Sequence, residues 1–206
     1  MKTHAYIFLA DGFEEIEAVC PADILRRSTP EVQLVSVTDG LTVTSAHGVR
    51  IVADMDFPAF LEHWKEVSAT VPPHKCLLVF PGGLPGATNL AACGPLVTLA
   101  ARHFSRGGLV GAICAAPGTL LPVMDAELRA EGHPGIRGRR FTCYPGCEGE
   151  PVALGAVHTG VHCETDGNLV TANGPGSAMD FAYALAQQLM GSGAVETLRR
   201  GMMWRF

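Results

Sequence analysis

Charge is scarce in this chain of 206 residues: Asp, Glu, Lys and Arg together make up 17% of it. Basic residues number 15 against 20 acidic ones, a net charge of −5. Lacking a basic excess, the chain is expected to bind neither nucleic acid nor anionic membrane surfaces. Its one local cluster of cations, Arg129, Arg137, Arg139 and Arg140, reads as a solvated loop. No apolar run approaches the ~18 residues of a membrane span. The stretch Tyr6-Ile7-Phe8-Leu9, closed by Asp11, is too short for a signal peptide, so a cytoplasmic location is expected. No C-x-x-C pair occurs, and the seven cysteines (20, 76, 93, 114, 143, 147 and 163) are an odd number. Without an export signal they are expected to be free thiols, not a disulfide framework.

Hydrophobic residues reach 48%, enough for a sizeable core, and the length suits one domain over residues 1–206. Apolar runs alternate with helical spacing throughout. Strands are predicted at 5–10, 32–37, 41–43, 49–52, 76–80, 109–113, 157–164 and 168–171. Helices are predicted at 14–27, with Pro21 inside, and at 58–67, 94–106, 115–124, 177–190 and 195–203. Residues 125–140 read as loop. Asp166-Gly167 signals a hairpin, and Ser177 with Asp180 a capping box. Such alternation implies βαβ units and a mostly parallel sheet covered on both faces. Sites in these sheets lie beyond the carboxyl ends of strands. Three junctions qualify: Ala10-Asp11-Gly12, Phe80-Pro81-Gly82-Gly83 and Ile113-Cys114-Ala115.

The third junction runs a buried strand into a thiol and then into a helix of small residues. A tight turn of this kind lifts a nucleophile above the sheet, at a helix terminus whose dipole favours thiolate. The amide of Ala115, with one from Gly82 or Gly83, could form an oxyanion hole. A buried core cysteine is the plainer alternative. Glu14, Glu15 and Glu17 at a helix start read first as surface charge, although Glu17 lies at the edge of the apolar stripe and could reach a neighbouring thiol. Cys143 and Cys147 could form a redox pair. His158 and His162, beside Cys163, have the wrong spacing for zinc, and no metal or other cofactor is expected.

Four collinear segments resemble the ThiJ/PfpI superfamily, in the branch of the parkinsonism-associated deglycase and the bacterial ThiJ-like chaperones. They are Asp11-Gly12-Phe13-Glu14-Glu15-Ile16-Glu17 with the following Pro21-Ala22-Asp23, Phe80-Pro81-Gly82-Gly83-Leu84-Pro85-Gly86, Ala112-Ile113-Cys114-Ala115-Ala116-Pro117, and Asp166-Gly167-Asn168 running into Gly174-Pro175-Gly176-Ser177. The resemblance implies an α/β flavodoxin-like three-layer sandwich and a homodimer. It implies that Cys114 is the reactive thiol, that Glu17 is its protonated carboxyl partner, and that Gly83 and Ala115 supply oxyanion amides. It further implies glutathione-independent glyoxalase or protein-deglycase activity on small dicarbonyls or glycated proteins, with an oxidative-stress role. The alternative is a redox sensor or chaperone whose cysteine is oxidised to sulfinate. Two departures stand out. Ala115 and Tyr144 occupy positions where relatives place a triad or dyad His, which makes peptidase activity unexpected. His47 stands in place of an Arg near the site.

Overall fold

The computed structural model describes residues 2–28 and 30–204. The first half of the chain contains β1 (His4–Leu9), α1 (Glu15–Arg26), β2 (Glu31–Ser36), β3 (Thr42–Thr44), β4 (Arg50–Val52), β5 (Met55–Asp56), α2 (Phe57–Thr70), β6 (Cys76–Phe80), α3 (Gly86–Ala92) and α4 (Gly94–Ser105). The second half adds β7 (Leu109–Ile113), α5 (Ala116–Ala130), β8 (Arg140–Phe141), α6 (Gly149–Ala153), β9 (Val157–His158), β10 (Cys163–Asp166), β11 (Leu169–Ala172), α7 (Ala178–Met190) and α8 (Ser192–Gly201).

Seven strands form the central sheet in the order β10-β11-β7-β6-β1-β2-β5, parallel except for the β10–β11 hairpin. Every residue of β1, β6 and β7 is buried, because helices cover both faces of a parallel sheet and leave its inner strands no polar side. The chain leaves β1 to one side, through β2, and returns on the other, through β6 and β7. That reversal is the switch point at which open α/β sheets form crevices. All three junctions singled out in the sequence meet there. The mostly parallel α/β sandwich is as expected.

Local chemistry explains the differences from the expected elements. The expected strand 157–164 divides: β9 pairs with β8 in a separate ribbon, and Gly160 (φ 67°) breaks the run before β10. Helix α5 continues to Ala130 through a stretch expected to be loop. Asp125, buried near its end, accepts hydrogen bonds from Arg129 Nε (2.6 Å) and from the Ile136 amide (2.7 Å), so the carboxylate folds the following segment back onto the helix. Gly135 is obligatory there, since a Cβ would stand 2.0 Å from Asp125 Oδ1. The Ser177 hydroxyl bonds Gly174 and not the Asp180 side of its helix, so the expected capping box does not form. Three of the four arginines in the cluster are paired with acids: Arg129 with Asp125, Arg139 with Asp166 and Arg140 with Glu164.

Asp125→Ala is expected to lower stability by roughly 2–4 kcal/mol, because it strands a buried amide and frees the segment that the carboxylate anchors. Thermal or urea unfolding measures this, and a variant within error of wild type would refute the anchoring role.

Candidate active site

Strand β7 delivers Cys114 to the junction in the left-handed region, at φ 61°. A non-glycine residue there is strained, and neighbouring structure must hold it. The Cys114 amide donates to the Ala172 carbonyl at the end of β11 (2.9 Å), and its carbonyl accepts from the Tyr144 amide (2.8 Å). Cys114 as a residue is 9% exposed. It meets the backbone amides of Gly83 and Ala115, the latter capping the N-terminus of α5.

Glu17 arrives from the first turn of α1 and is completely buried. One carboxyl oxygen accepts the Gly82 amide at 2.8 Å, while Oε1 has no close hydrogen-bond partner. The carboxyl interacts with the Cys114 thiol. Gly82 is required at this point: a Cβ would lie 2.6 Å from Cys114 Cβ, 2.7 Å from Glu17 Oε2 and 2.9 Å from the Ile113 carbonyl. Gly83 (φ 81°) is equally constrained by the backbone of residues 12–14. The Glu14 amide donates to the Gly82 carbonyl (2.9 Å), which locks the loop after β1 to the loop after β6. Cys114, Glu17, Gly82, Gly83 and Ala115 therefore converge from three segments.

Burial raises Glu17 to about 7, with the nearby Glu14 charge adding to it and the Gly82 amide opposing. Burial and the Glu17 carboxylate together push the Cys114 thiol up to about 12, against the pull of the Gly83 and Ala115 amides. The acidic thiol anticipated from the helix terminus is thus not what this environment gives while Glu17 is ionised. Once Glu17 is protonated its charge no longer raises the thiol, and the two amides are opposed by burial alone. The pair is best described as one unit that shares a proton.

His47 lies elsewhere. Its ring is 66% exposed, and Nδ1 sits 3.1 Å from both Glu15 oxygens and 3.4 Å from Glu14. Those carboxylates raise its pKa. The β3–β4 hairpin is held over this acidic turn by bonds from the Gly12 amide to Thr44 and from the Ala46 amide to Phe13. Among the described residues the ion-pair partners of His47 are Glu14 and Glu15, and of these Glu14 acts on the Glu17 carboxyl. Ligand atoms of Glu14, Glu15 and His47 all lie within 4.8 Å of one another, an arrangement their ion pairing accounts for. His158 packs on Phe141 and forms no such group with His162 and Cys163 among the described residues. Cys143 and Cys147 are both free.

Burial of Glu14 was not legible, because three acids at a helix start look like solvated charge. Tyr144 enters through its backbone amide, which side-chain patterns do not reveal.

Residues 3–188 match the profile described as the DJ-1/PfpI family. The chain belongs to the DJ-1/PfpI family. Among DJ-1 relatives, the glutathione-independent glyoxalase DJR-1.2 of Caenorhabditis elegans is 30% identical over 190 residues, covering 92% of this chain and 90% of that protein. Protein DJ-1 homolog B of Arabidopsis thaliana is 34% identical over 183 residues; the match takes in 89% of this chain but 37% of that longer protein. The crystal structure of Drosophila melanogaster DJ-1beta superposes with a TM-score of 0.80 at 29% identity, covering all of both chains. The resemblance drawn from four short segments thus extends over the whole DJ-1 fold.

Cysteine modification tests the geometry of this DJ-1-like junction. Between about pH 6 and 7, iodoacetamide or limiting peroxide is expected to modify Cys114 first. Its rate should level off once the pair has lost one proton, whereas a free thiol in solution keeps gaining thiolate toward pH ~8.5. Peptide mass mapping across pH reads both, and a lead by Cys143 or Cys147 near neutrality would contradict the assignment.

Proposed function

We propose that residues 1–206 act as one domain with cofactor-free, glutathione-independent glyoxalase and protein-deglycase activity, using Cys114 as nucleophile on methylglyoxal-type dicarbonyls. The observation that carries this reading is the fully buried Glu17 carboxyl set against Cys114, with two backbone amides directed at the same thiol. The name of the Caenorhabditis elegans relative supports it.

Cys114 thiolate adds to the aldehyde carbon of the substrate, and a sulfur–carbon bond forms as the carbonyl π pair moves to oxygen. The amides of Gly83 and Ala115 stabilise that oxyanion. Glu17 gives it the proton and, now a carboxylate, removes the hydrogen on the former aldehyde carbon. Returning that proton to the adjacent carbon, while the hydroxyl proton passes from the oxygen of the first carbon to that of the second, leaves a 2-hydroxyacyl thioester. Water cleaves it to the hydroxy acid and restores the thiol. No electron leaves the system, because oxidation at one carbon balances reduction at the next. Glu17 suits both proton transfers because its pKa of about 7 lies near ambient pH.

Absence of a His beside Cys114 argues against peptidase chemistry, since Ala115 and Tyr144 offer no general base. No described helix is long and apolar enough to cross a membrane. A cytoplasmic setting, in which the chain meets small dicarbonyls or glycated proteins, belongs to the same proposal.

The decisive assay supplies methylglyoxal without glutathione or metal and follows lactate. Many equivalents of lactate per chain are expected. A single equivalent or none would overturn the enzymatic reading in favour of a sensor, in which Glu17 Oε1 donates its hydrogen bond to an oxidised Cys114.

Assembly is proposed to be a symmetric homodimer. Ile16 and Val19 of α1 and Val49 and Val52 of the β3–β4 hairpin are large apolar side chains left in solvent, and a self-complementary patch would cover them twice over. Light scattering should give about twice the chain mass of 21.7 kDa; the monomer mass at micromolar concentration would contradict it.

A further inference from the structure

A cleft of about 540 Å³ opens at the end of the sheet opposite Cys114, between α2 and α4. Cys76 begins β6 beneath it, and Gly82 stands six residues further on. At ~3.3 Å per residue the cleft floor is therefore ~20 Å from the catalytic amides. The cleft exists because its two walls are committed elsewhere: α2 packs on β2 and β5, and α4 packs on α5 and β7. Its volume falls in the range of small-molecule sites, roughly 300–1,000 Å³.

The lining is apolar and aromatic below and cationic at the rim. Leu61 and Trp64 of α2 face Leu99 of α4. His103 closes the floor. Its Nε2 bonds the Cys76 carbonyl (3.0 Å), Trp64 meets it edge-on with centroids 5.2 Å apart, and its ring fills the space where a Cβ on Gly108 would be. Burial pushes His103 down to about 4, so the floor is uncharged at neutral pH. Arg102 and Arg106 lie one turn apart at the rim, and among the described residues no Asp or Glu lines the cleft. Arg102 is held by Glu131 at 2.6 Å. Arg106 is exposed and has no ion-pair partner among the described residues.

We infer that this cleft binds a small amphipathic anion, an aryl or branched-alkyl carboxylate, whose apolar body lies against Trp64 and Leu99 and whose head group meets Arg106. Apolar area in contact with Trp64 supplies the driving force, and the free guanidinium selects charge.

Titrating full-length protein with 8-anilinonaphthalene-1-sulfonate, an amphipathic anion, tests the inference. Saturable binding of one probe per chain is expected, with energy transfer from Trp64 that Trp64→Phe removes. Arg106→Gln should weaken this anion about three- to tenfold and leave the neutral probe N-phenyl-1-naphthylamine unaffected. Ser68→Trp, on the exposed lip of α2, should block both probes, and 4-phenylbutyrate should compete with the sulfonate. Cys114→Ser should change none of this, so the cleft stands or falls separately from the proposed enzyme. No saturable binding, equal effects of Arg106→Gln on both probes, or full binding by Ser68→Trp would each overturn it.

Discussion

Glu17→Gln is expected to lower turnover of methylglyoxal by roughly 10² or more while making the fold more stable at alkaline pH. The two effects have one cause. In the folded chain the Glu17 carboxyl holds its proton up to about 7, against an ordinary value of 4.5. A carboxyl raised on folding contributes no penalty at low pH, where it is neutral in both states. As pH rises from about 4.5 to 7, the unfolded chain releases its proton first, so stability falls and stays lower above that range. The shift corresponds to roughly 3 kcal/mol. Glu17→Gln keeps the oxygen that accepts the Gly82 amide and leaves a neutral group facing the thiol, but its carboxamide cannot titrate. Wild type and variant should therefore unfold alike near pH 4.5 and diverge by pH ~8, with the variant the more stable. Urea unfolding at the two pH values measures this. Wild-type turnover in Glu17→Gln would dismiss the proton-transfer role, and an unchanged pH profile of stability would dismiss the buried, proton-retaining carboxyl.

The second large effect belongs to Gly82→Ala. The added methyl must enter a space bounded by Cys114 Cβ, the Glu17 carboxylate and the Ile113 carbonyl, all closer than 3.0 Å. Two of these are parts of the backbone framework or its first side-chain carbon and have little freedom, so the loop after β6 must move. Movement there withdraws the Gly83 amide and breaks the Gly82–Glu17 hydrogen bond together. Loss of oxyanion alignment alone lowers rates by about 10²–10³, and overpacking should destabilise the fold by roughly 1–3 kcal/mol. Gly176→Ala serves as the control, since nothing lies within 4 Å of its added methyl and its φ is outside the left-handed region. Near-normal activity in Gly82→Ala would mean that the loop does not hold the site in the way described.

Much of this arrangement was legible in the chain. Strands β1, β6 and β7 announce themselves as unbroken apolar runs because both sheet faces are covered, and the thiol follows the last of them. The glycines after β6 mark close approach of backbone to a reactive group. Other features had no local signature. Short strands such as β8 and β9 exist only because they pair with each other, and α5 outlasts its apolar pattern because Asp125 ties it to Ile136 from eleven residues away. His47 follows the same logic: its place in the sequence puts it near the site, but Glu14 and Glu15 capture its ring, and only the packing of the β3–β4 hairpin decides that. The thiol's acidity was also beyond local inference. A helix terminus predicts a lowered pKa, whereas burial and a carboxylate brought from α1, nearly a hundred residues earlier, raise it.

The central claim is that Cys114 forms the bond to substrate, and steady-state lactate production by wild type and Cys114→Ser tests it most directly. Under glutathione-free and metal-free conditions, the serine variant should retain the fold and lose at least ~10³-fold in kcat/KM, because an alcohol at this position is a far poorer nucleophile than a thiolate. Lactate formed by Cys114→Ser at the wild-type rate would contradict the account.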